Sequence, residues 1–162
     1  MFNNTAHIFI SLGFKELKRE LFDEPLNGNA LNKPKGGLWA SSFIDDRRIS
    51  HWHYACSDME LDKELNYGVK FNLKQDARVY VIDNEENALE FFDKYNEIRY
   101  SSRLSDIDWK KVREDYDAVY LTHNGLRETK FSFTAMTFCG WDCESIVILN
   151  FDIIENQEYW EM

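Results

Sequence analysis

Short runs of β-branched, aromatic and alternating apolar residues occur along the whole chain and predict strands. The predicted strands are residues 7–11, 38–42, 67–73, 77–82, 118–122, 130–136 and 145–149. Polar residues at 74–76 separate two of these runs, which are consistent with two strands or with one interrupted strand. The triplet His123-Asn124-Gly125 predicts a turn between two of the later strands.

Apolar residues three to five positions apart predict short helices between these strands. The predicted helices cover residues 12–22, 46–56, 85–95 and 109–116. Asp83 or Asn84 is expected to cap the third helix, the clearest of them, and Asp106 or Asp108 the fourth. Residues 23–35 contain both prolines and predict a loop.

The order of these elements predicts an α+β fold. The helices are concentrated in the first two thirds of the chain, and the late strands follow one another without helical crossovers, which favours antiparallel pairing. A length of 162 residues favours a single domain spanning residues 1–162.

The charge balance limits the classes of partner. The chain is 44% hydrophobic and has a net charge of −10, with 19 basic and 29 acidic residues. The apolar content excludes general disorder. The negative charge disfavours direct binding to a nucleic-acid backbone or to an anionic membrane. A basic protein partner, or none, is expected, and the oligomeric state stays open.

The three cysteines, Cys56, Cys139 and Cys143, have no spacing typical of a disulfide framework and are expected to be reduced thiols. No signal peptide and no apolar segment long enough to span a membrane is found in the sequence. These observations predict a cytoplasmic protein, or one in the host cytoplasm if the chain is phage-encoded.

Common catalytic and metal-binding motifs are missing from the sequence. No glycine-rich phosphate loop, Cys-x-x-Cys, His-Glu-x-x-His or Gly-x-Ser-x-Gly pattern occurs. His51, His53 and Cys56 could face a metal together with Cys139 or Cys143 only if the predicted helix breaks locally, because histidines two apart on a helix point in different directions. No metal site is predicted.

A carboxylate near the C-terminus carries more information. Glu144 lies where the loop Trp141-Asp142-Cys143 enters an apolar predicted strand, and the start of a strand holds a side chain rigidly. His7 lies on the first predicted strand, and Ser41-Ser42 end the second. A histidine or arginine, a serine strand and a late glutamate in this order resemble the ADP-ribosyltransferase superfamily.

A second likeness covers most of the chain. It comprises Lys33-Pro34-Lys35-Gly36-Gly37-Leu38-Trp39-Ala40-Ser41, Trp52, Ile107-Asp108-Trp109-Lys110-Lys111-Val112, Tyr116-Asp117 and Trp141-Asp142-Cys143. This pattern is similar to that of small proteins from bacteria and bacteriophages.

The superfamily resemblance implies a fold and a chemistry. It implies a mostly antiparallel split sheet with short helices, and NAD as the substrate of a mono-ADP-ribosyltransferase that modifies a macromolecular target. Glu144 would be catalytic, orienting a ribose hydroxyl and stabilising the oxocarbenium-like centre as nicotinamide leaves. His7, Ser41, Trp52 and Tyr54 would line the nicotinamide cleft, with Trp52 or Tyr54 stacking on the ring.

The same residues also have purely structural interpretations. Glu144 could pair with Arg127 or Lys130. Trp39, Trp52, Trp109 and Trp141 could fill the core, and Ser41-Ser42 could simply end a strand.

A second class of function starts from the clustered negative charge. Residues 83–98 and the C-terminal segment are acidic, which is typical of a solvated face. The alternative is a catalytically inactive binding protein or inhibitor that acts on a basic partner through Glu86, Glu90 and Asp93. The terminal residues 156–162 could dock onto the domain or onto another chain.

Overall fold

A computed structural model describes residues 7–10, 15–28, 32–44, 49–58, 67–97, 106–130, 138 and 140–161, with the side chains of 7–10 and 97 outside the description. The strands are β1 (His7–Ile10), β2 (Leu38–Ile44), β3 (Ile49–Ser50), β4 (Tyr67–Leu73), β5 (Val79–Ile82), β6 (Asn96–Glu97), β7 (Asp106–Ile107), β8 (Ala118–Leu121), β9 (Ser145–Ile148) and β10 (Ile154–Glu161). The α-helices are α1 (His51–Asp58), α2 (Glu85–Tyr95), α3 (Trp109–Asp115) and α4 (His123–Thr129).

Eight of the strands form one large mixed sheet, in the order β10-β4-β1-β2-β9-β8-β5, with β3 pairing β2, and β6 and β7 form a separate two-stranded antiparallel sheet. All neighbouring pairs in this sheet are antiparallel except β5 and β8, which are parallel. The parallel pair is possible because α2 and α3 lie between β5 and β8 in the chain and provide the crossover. The α+β class is therefore confirmed, and two of the late strands, β8 and β9, pair antiparallel as predicted.

The partner of β2 changes along its length. Leu38–Ala40 pair with β9, whereas Ser41 and Ser42 pair with β1. The pairing between β2 and β9 ends at Ala40 and Ile146, so Ser145 has no pairing partner among the described residues of β2. Residues 144 and 145 therefore lie beside the part of β2 that pairs with β1.

Alternate residues of β8 and β9 supply two apolar clusters, as expected for strands covered on both faces. Val119, Leu121 and Val147 belong to the cluster that contains Phe91 of α2 and Trp109 of α3. The intervening residues Ala118, Ile146 and Ile148 belong to the other cluster, with Phe71 and Leu73 of β4. This two-sided burial makes β8 and β9 the rigid centre of the molecule.

Two predicted helices match the structure closely. The side chain of Asn84 accepts a hydrogen bond from Asn87 N at the start of α2, and the side chain of Asp108 accepts one from Lys111 N at the start of α3. The polar stretch 74–76 separates two strands rather than interrupting one. β4 pairs with β1 and β10, whereas β5 lies at the opposite edge of the sheet.

Two other predicted helices are wrong in extent. The described part of 12–22 contains only a 3-10 turn at Arg19–Leu21, without a buried residue. The predicted helix 46–56 begins instead with β3 and becomes helical at His51, because Ile49 and Ser50 continue the sheet by pairing with β2. Residues 45–48 lie outside the described part of the chain.

The predicted turn at His123-Asn124-Gly125 is wrong, because these residues begin α4. The side chain of Thr122 accepts a hydrogen bond from Gly125 N and caps the helix. The glycine is required by packing: a Cβ at position 125 would lie 2.1 Å from the carbonyl oxygen of Ile82. The strand predicted at 130–136 has its first residue at the end of α4, and the remainder lies outside the described residues.

The C-terminal segment docks onto its own sheet as β10, a strand that the hydrophobic pattern did not predict. β10 pairs antiparallel with β4, with a bulge between Glu155 and Glu158. Trp160 is buried, and its ring lies 5.2 Å from the ring of His53. Within the described ranges, no helix is long and apolar enough to cross a membrane.

Candidate functional site

The sheet places three segments far apart in the sequence next to one another. β2 lies between β1 and β9, and His7 is the cross-strand partner of Ser42. Ser42 in turn contacts Glu144, which lies immediately before β9 and 102 positions away in the chain. The backbone of His7 is therefore next to Ser42, and Ser42 is next to the carboxylate of Glu144, across neighbouring positions of the sheet.

Ser42 holds the carboxylate of Glu144 with two hydrogen bonds. Its hydroxyl donates to Oε1 at 2.6 Å, and its backbone N–H donates to Oε2 at 3.0 Å. Glu144 is only 2% exposed, although charged side chains are rarely buried unless they are paired or hydrogen-bonded. The two donations to a buried charged group are consequently strong ones.

Tyr120 of β8 completes this network. Its hydroxyl lies 3.1 Å from Ser42 Oγ, and burial and the nearby Glu144 carboxylate raise its pKa above the ordinary value for tyrosine. Tyr120 therefore keeps its proton at neutral pH and can donate a hydrogen bond into the cluster. Ser42, Tyr120 and Glu144 form a cluster of hydrogen-bonded polar side chains near the centre of the sheet.

Ser41, the serine predicted to line the cleft, has a different role from Ser42. Its hydroxyl accepts a hydrogen bond from Trp52 N at 3.2 Å and so anchors the first turn of α1. Consecutive strand residues point to opposite faces, so only one of the two serines can face Glu144. The sequence shows the serine pair but not which member faces the carboxylate.

Trp52 and Tyr54 lie on α1, close in sequence to the end of β2. Two positions on a helix are separated by about 200°, so these rings point to different sides of α1. Trp52 is half-buried, whereas Tyr54 is exposed. The structure thus does not bring both rings to one surface, and the side chain of His7 lies outside its description.

The histidines of α1 have local partners. His53 is buried, and its Nδ1 accepts a hydrogen bond from Ser50 N at 3.0 Å. The ring of His51 stacks on that of His123, with centroids 5.8 Å apart. Among the described residues, no three His, Cys, Asp or Glu side chains are placed to share a metal ion, and Cys139 is not among those residues.

The structural interpretations of the other singled-out residues are partly realised. Trp109 and Trp141 are buried in the core, and the ring of Trp39 meets that of Trp141 edge-on at 4.7 Å. Arg127, considered as a partner for Glu144, donates instead to Asn124 on its own helix. The contacts described for the Glu144 carboxylate come from the sheet rather than from a surface cation.

Burial also raises the pKa of the neighbouring Cys143 thiol to about 11, so this thiol stays protonated at neutral pH and is a poor nucleophile. Two cavities in the described part of the chain lie near the start of β2, the start of β8 and the end of β9. Glu144 lines neither of them. Glu144 is 2% exposed, so a ligand reaches its carboxylate only after the site opens.

Comparisons of the chain with protein-family models, with curated proteins and with solved structures found no match. The functional conclusion therefore depends on the geometry and chemistry of the residues described above.

Proposed function

We propose that the protein is an NAD-dependent mono-ADP-ribosyltransferase with an ADP-ribosyltransferase-like fold, and that Glu144 is its catalytic carboxylate acting on a macromolecular target. The observation that carries this proposal is that His7 on β1, Ser42 on β2 and Glu144, directly before β9, are neighbours across three adjacent strands. The sequence resemblance implies a strand-one histidine, a serine strand and a late glutamate around one cleft, and these three segments are neighbours in the sheet.

The chemistry requires one fixed negative charge. As the bond between the nicotinamide nitrogen and the ribose breaks, its electron pair leaves with nicotinamide, and positive charge develops on the ribose. A nucleophilic group of the target bonds to the same ribose carbon and gives up its proton to solvent. A carboxylate held in place stabilises that charge without reorganising during the reaction. Glu144 has this character, because Ser42 fixes both of its oxygens.

Burial of Glu144 has a consequence for substrate affinity. A carboxylate that is 2% exposed reaches a ribose only after the residues that cover it move aside, with the hydrogen bonds from Ser42 kept. Only the open fraction of the protein binds substrate, so the apparent affinity is reduced by that fraction. We therefore expect NAD to bind weakly in the absence of the macromolecular target.

The test combines binding with chemistry. Isothermal titration with NAD near physiological ionic strength, together with an assay of nicotinamide release, would compare the native chain with Glu144→Gln. Glu86→Gln, which removes an exposed carboxylate on α2, is the matched control. Native-level release by the control and its loss in Glu144→Gln would support the proposal. Absence of both binding and release at millimolar NAD would overturn it.

A second candidate function depends on a different surface. Glu86, Glu90 and Asp93 are exposed at positions i, i+4 and i+7 of α2, which puts them along one face of the helix. This arrangement supports a catalytically inactive protein that binds a basic partner. Reversing the charge of the three residues with Lys would abolish capture of a basic partner and leave NAD chemistry intact. Glu144→Gln would abolish NAD chemistry and leave capture of the basic partner intact.

A further inference from the structure

A polar cavity of about 200 Å³ lies at the other end of the central strands. Asp117 precedes β8 and Asn150 follows β9, and both line this cavity. Ala118 pairs with Ile148 at this end, whereas Leu121 pairs with Ser145 beside Glu144. Five residue steps, from Glu144 to Leu149, therefore separate the proposed transferase site from the cavity, which is about 16 Å of extended chain.

Three guanidinium groups from three separate elements line the cavity. Arg19 comes from the 3-10 turn, Arg78 directly precedes β5, and Arg113 lies on α3. The lining contains two carboxylates, Glu24 and Asp117, and a third, Asp152, pairs with Arg19 from outside it. Each arginine therefore has one carboxylate partner, and a bound anion would compete with these carboxylates.

Arg78 is held rigidly by Asp117. Its Nε and Nη2 atoms donate to the two carboxylate oxygens at 3.1 and 3.0 Å, and Nη1 donates to the carbonyl of Glu114. Asp117 also accepts from Arg78 N and from Asn150 Nδ2. Four donors thus satisfy this carboxylate, and it anchors the arginine rather than offering negative charge to a ligand.

The other two arginines have exposed and exchangeable partners. Arg113 meets Glu24 at 3.4 Å and donates to the carbonyl of Pro25, and Arg19 meets Asp152 at 3.1 Å. The side chains of Glu24 and Asp152 are 65% and 74% exposed, so water screens both ion pairs. Such pairs contribute little to stability, and an external anion can take the place of either carboxylate.

We propose that this cavity binds a phosphate group, as free phosphate or as the phosphate of a small monoester. A planar carboxylate is matched by one guanidinium fork, whereas a tetrahedral dianion accepts hydrogen bonds from several directions at once. Arg19, Arg78 and Arg113 come from three separate elements and line the same cavity. The volume is several times the roughly 30 Å³ that one water occupies, which leaves room for a phosphoryl group.

The test titrates the native protein with inorganic phosphate and, separately, with phenyl phosphate, at constant ionic strength, and measures heat and amide chemical shifts. Saturable binding is expected, with shifts at residues 78, 113 and 117. Tighter binding of phenyl phosphate would assign the site to a monoester, and equal or weaker binding would assign it to free phosphate. Absence of saturable binding of both would overturn the proposal.

Charge variants separate a ligand site from a structural ion-pair network. Arg113→Gln and Arg19→Gln should each weaken phosphate binding by about tenfold, because each removes a charge-assisted donor. Glu24→Gln should tighten binding several-fold, because it removes the competing carboxylate. Arg127→Gln, which removes an exposed guanidinium on α4, is the control and should change nothing.

The opposite signs make the result decisive. If Glu24→Gln fails to tighten binding and the two arginine variants match the control, the arginines are structural and the proposal is wrong. Circular dichroism spectra of each variant establish that a loss of binding is not a loss of fold. The NAD assays do not involve this cavity, so this test and that of the transferase proposal can fail separately.

Discussion

The hydroxyl of Ser42 donates a 2.6 Å hydrogen bond to the carboxylate of Glu144 across 102 positions of sequence. Ser42 is at the point where β2 leaves β9 and pairs with β1, and Glu144 is directly before β9. The bond therefore links β2 to the residue before β9 just beyond their last paired residues. It also fixes the position of the Glu144 carboxylate within the cluster of Ser42, Tyr120 and Glu144.

Removing this bond should destabilise the protein more than removing the neighbouring hydroxyl. Ser42→Ala leaves a buried carboxylate without its shortest donor, so we expect a loss of about 1.5–3 kcal/mol in the free energy of unfolding. Ser41→Ala removes the described bond from Trp52 N, and we expect a loss of about 0.5–1.5 kcal/mol. Urea unfolding of both variants makes the comparison, and equal losses would contradict the assigned role of Ser42.

The ion pair between Asp117 and Arg78 should make stability depend on pH in the acid range. Burial opposes ionisation of Asp117, but hydrogen bonds from Arg78 and Asn150 outweigh it and hold its pKa below the ordinary value. Its contribution is therefore complete above the unfolded pKa of about 4 and is lost as pH falls through the lower folded pKa.

Asp117→Asn tests this dependence. The variant should lose about 1–3 kcal/mol at pH 7, because one buried partner of Arg78 becomes neutral. The difference from the native chain should be constant between pH 7 and pH 5 and shrink below pH 4. Denaturant unfolding over this pH range measures it, and a difference that grows on acidification would refute the assignment.

Gly125 should be intolerant of alanine although it lies in a helix. Alanine in place of glycine ordinarily favours a helix by about 1 kcal/mol. Here the added Cβ would meet the carbonyl oxygen of Ile82 at 2.1 Å, so we expect Gly125→Ala to destabilise by about 1–3 kcal/mol. Thermal unfolding decides the sign, with exposed Arg127→Ala on the same helix as a control that should change little.

The aromatic residues of β10 should differ sharply in their contribution to stability. Trp160 is buried against His53 and Phe43, so Trp160→Ala should cost about 3–5 kcal/mol. Tyr159 is 37% exposed, and Tyr159→Ala should cost about 1 kcal/mol or less. If chemical denaturation shows similar small losses for both, the C-terminal strand does not dock as described.

Local sequence signals predicted the elements whose stabilising contacts are themselves local. α2 and α3 begin at an Asn84 or Asp108 cap that the sequence shows directly, and β4 shows its alternation within seven residues. α4 was missed because Asn124 and Gly125 favour a turn in isolation. Its glycine is instead needed for close packing on β5, a constraint that no local pattern contains.

The candidate site shows the same division. The amino-acid sequence alone predicts the α+β class and the acidic charge, and it shows a strand-one histidine, a serine pair and a late glutamate. Three features are visible only in the folded chain: Ser42 rather than Ser41 holds Glu144, β10 covers the edge of β4, and three arginines line one cavity beyond β8 and β9. Periodicity reports how one segment meets an apolar interior, whereas these outcomes depend on register between segments far apart in the chain, where a shift of one residue reverses the face of every side chain.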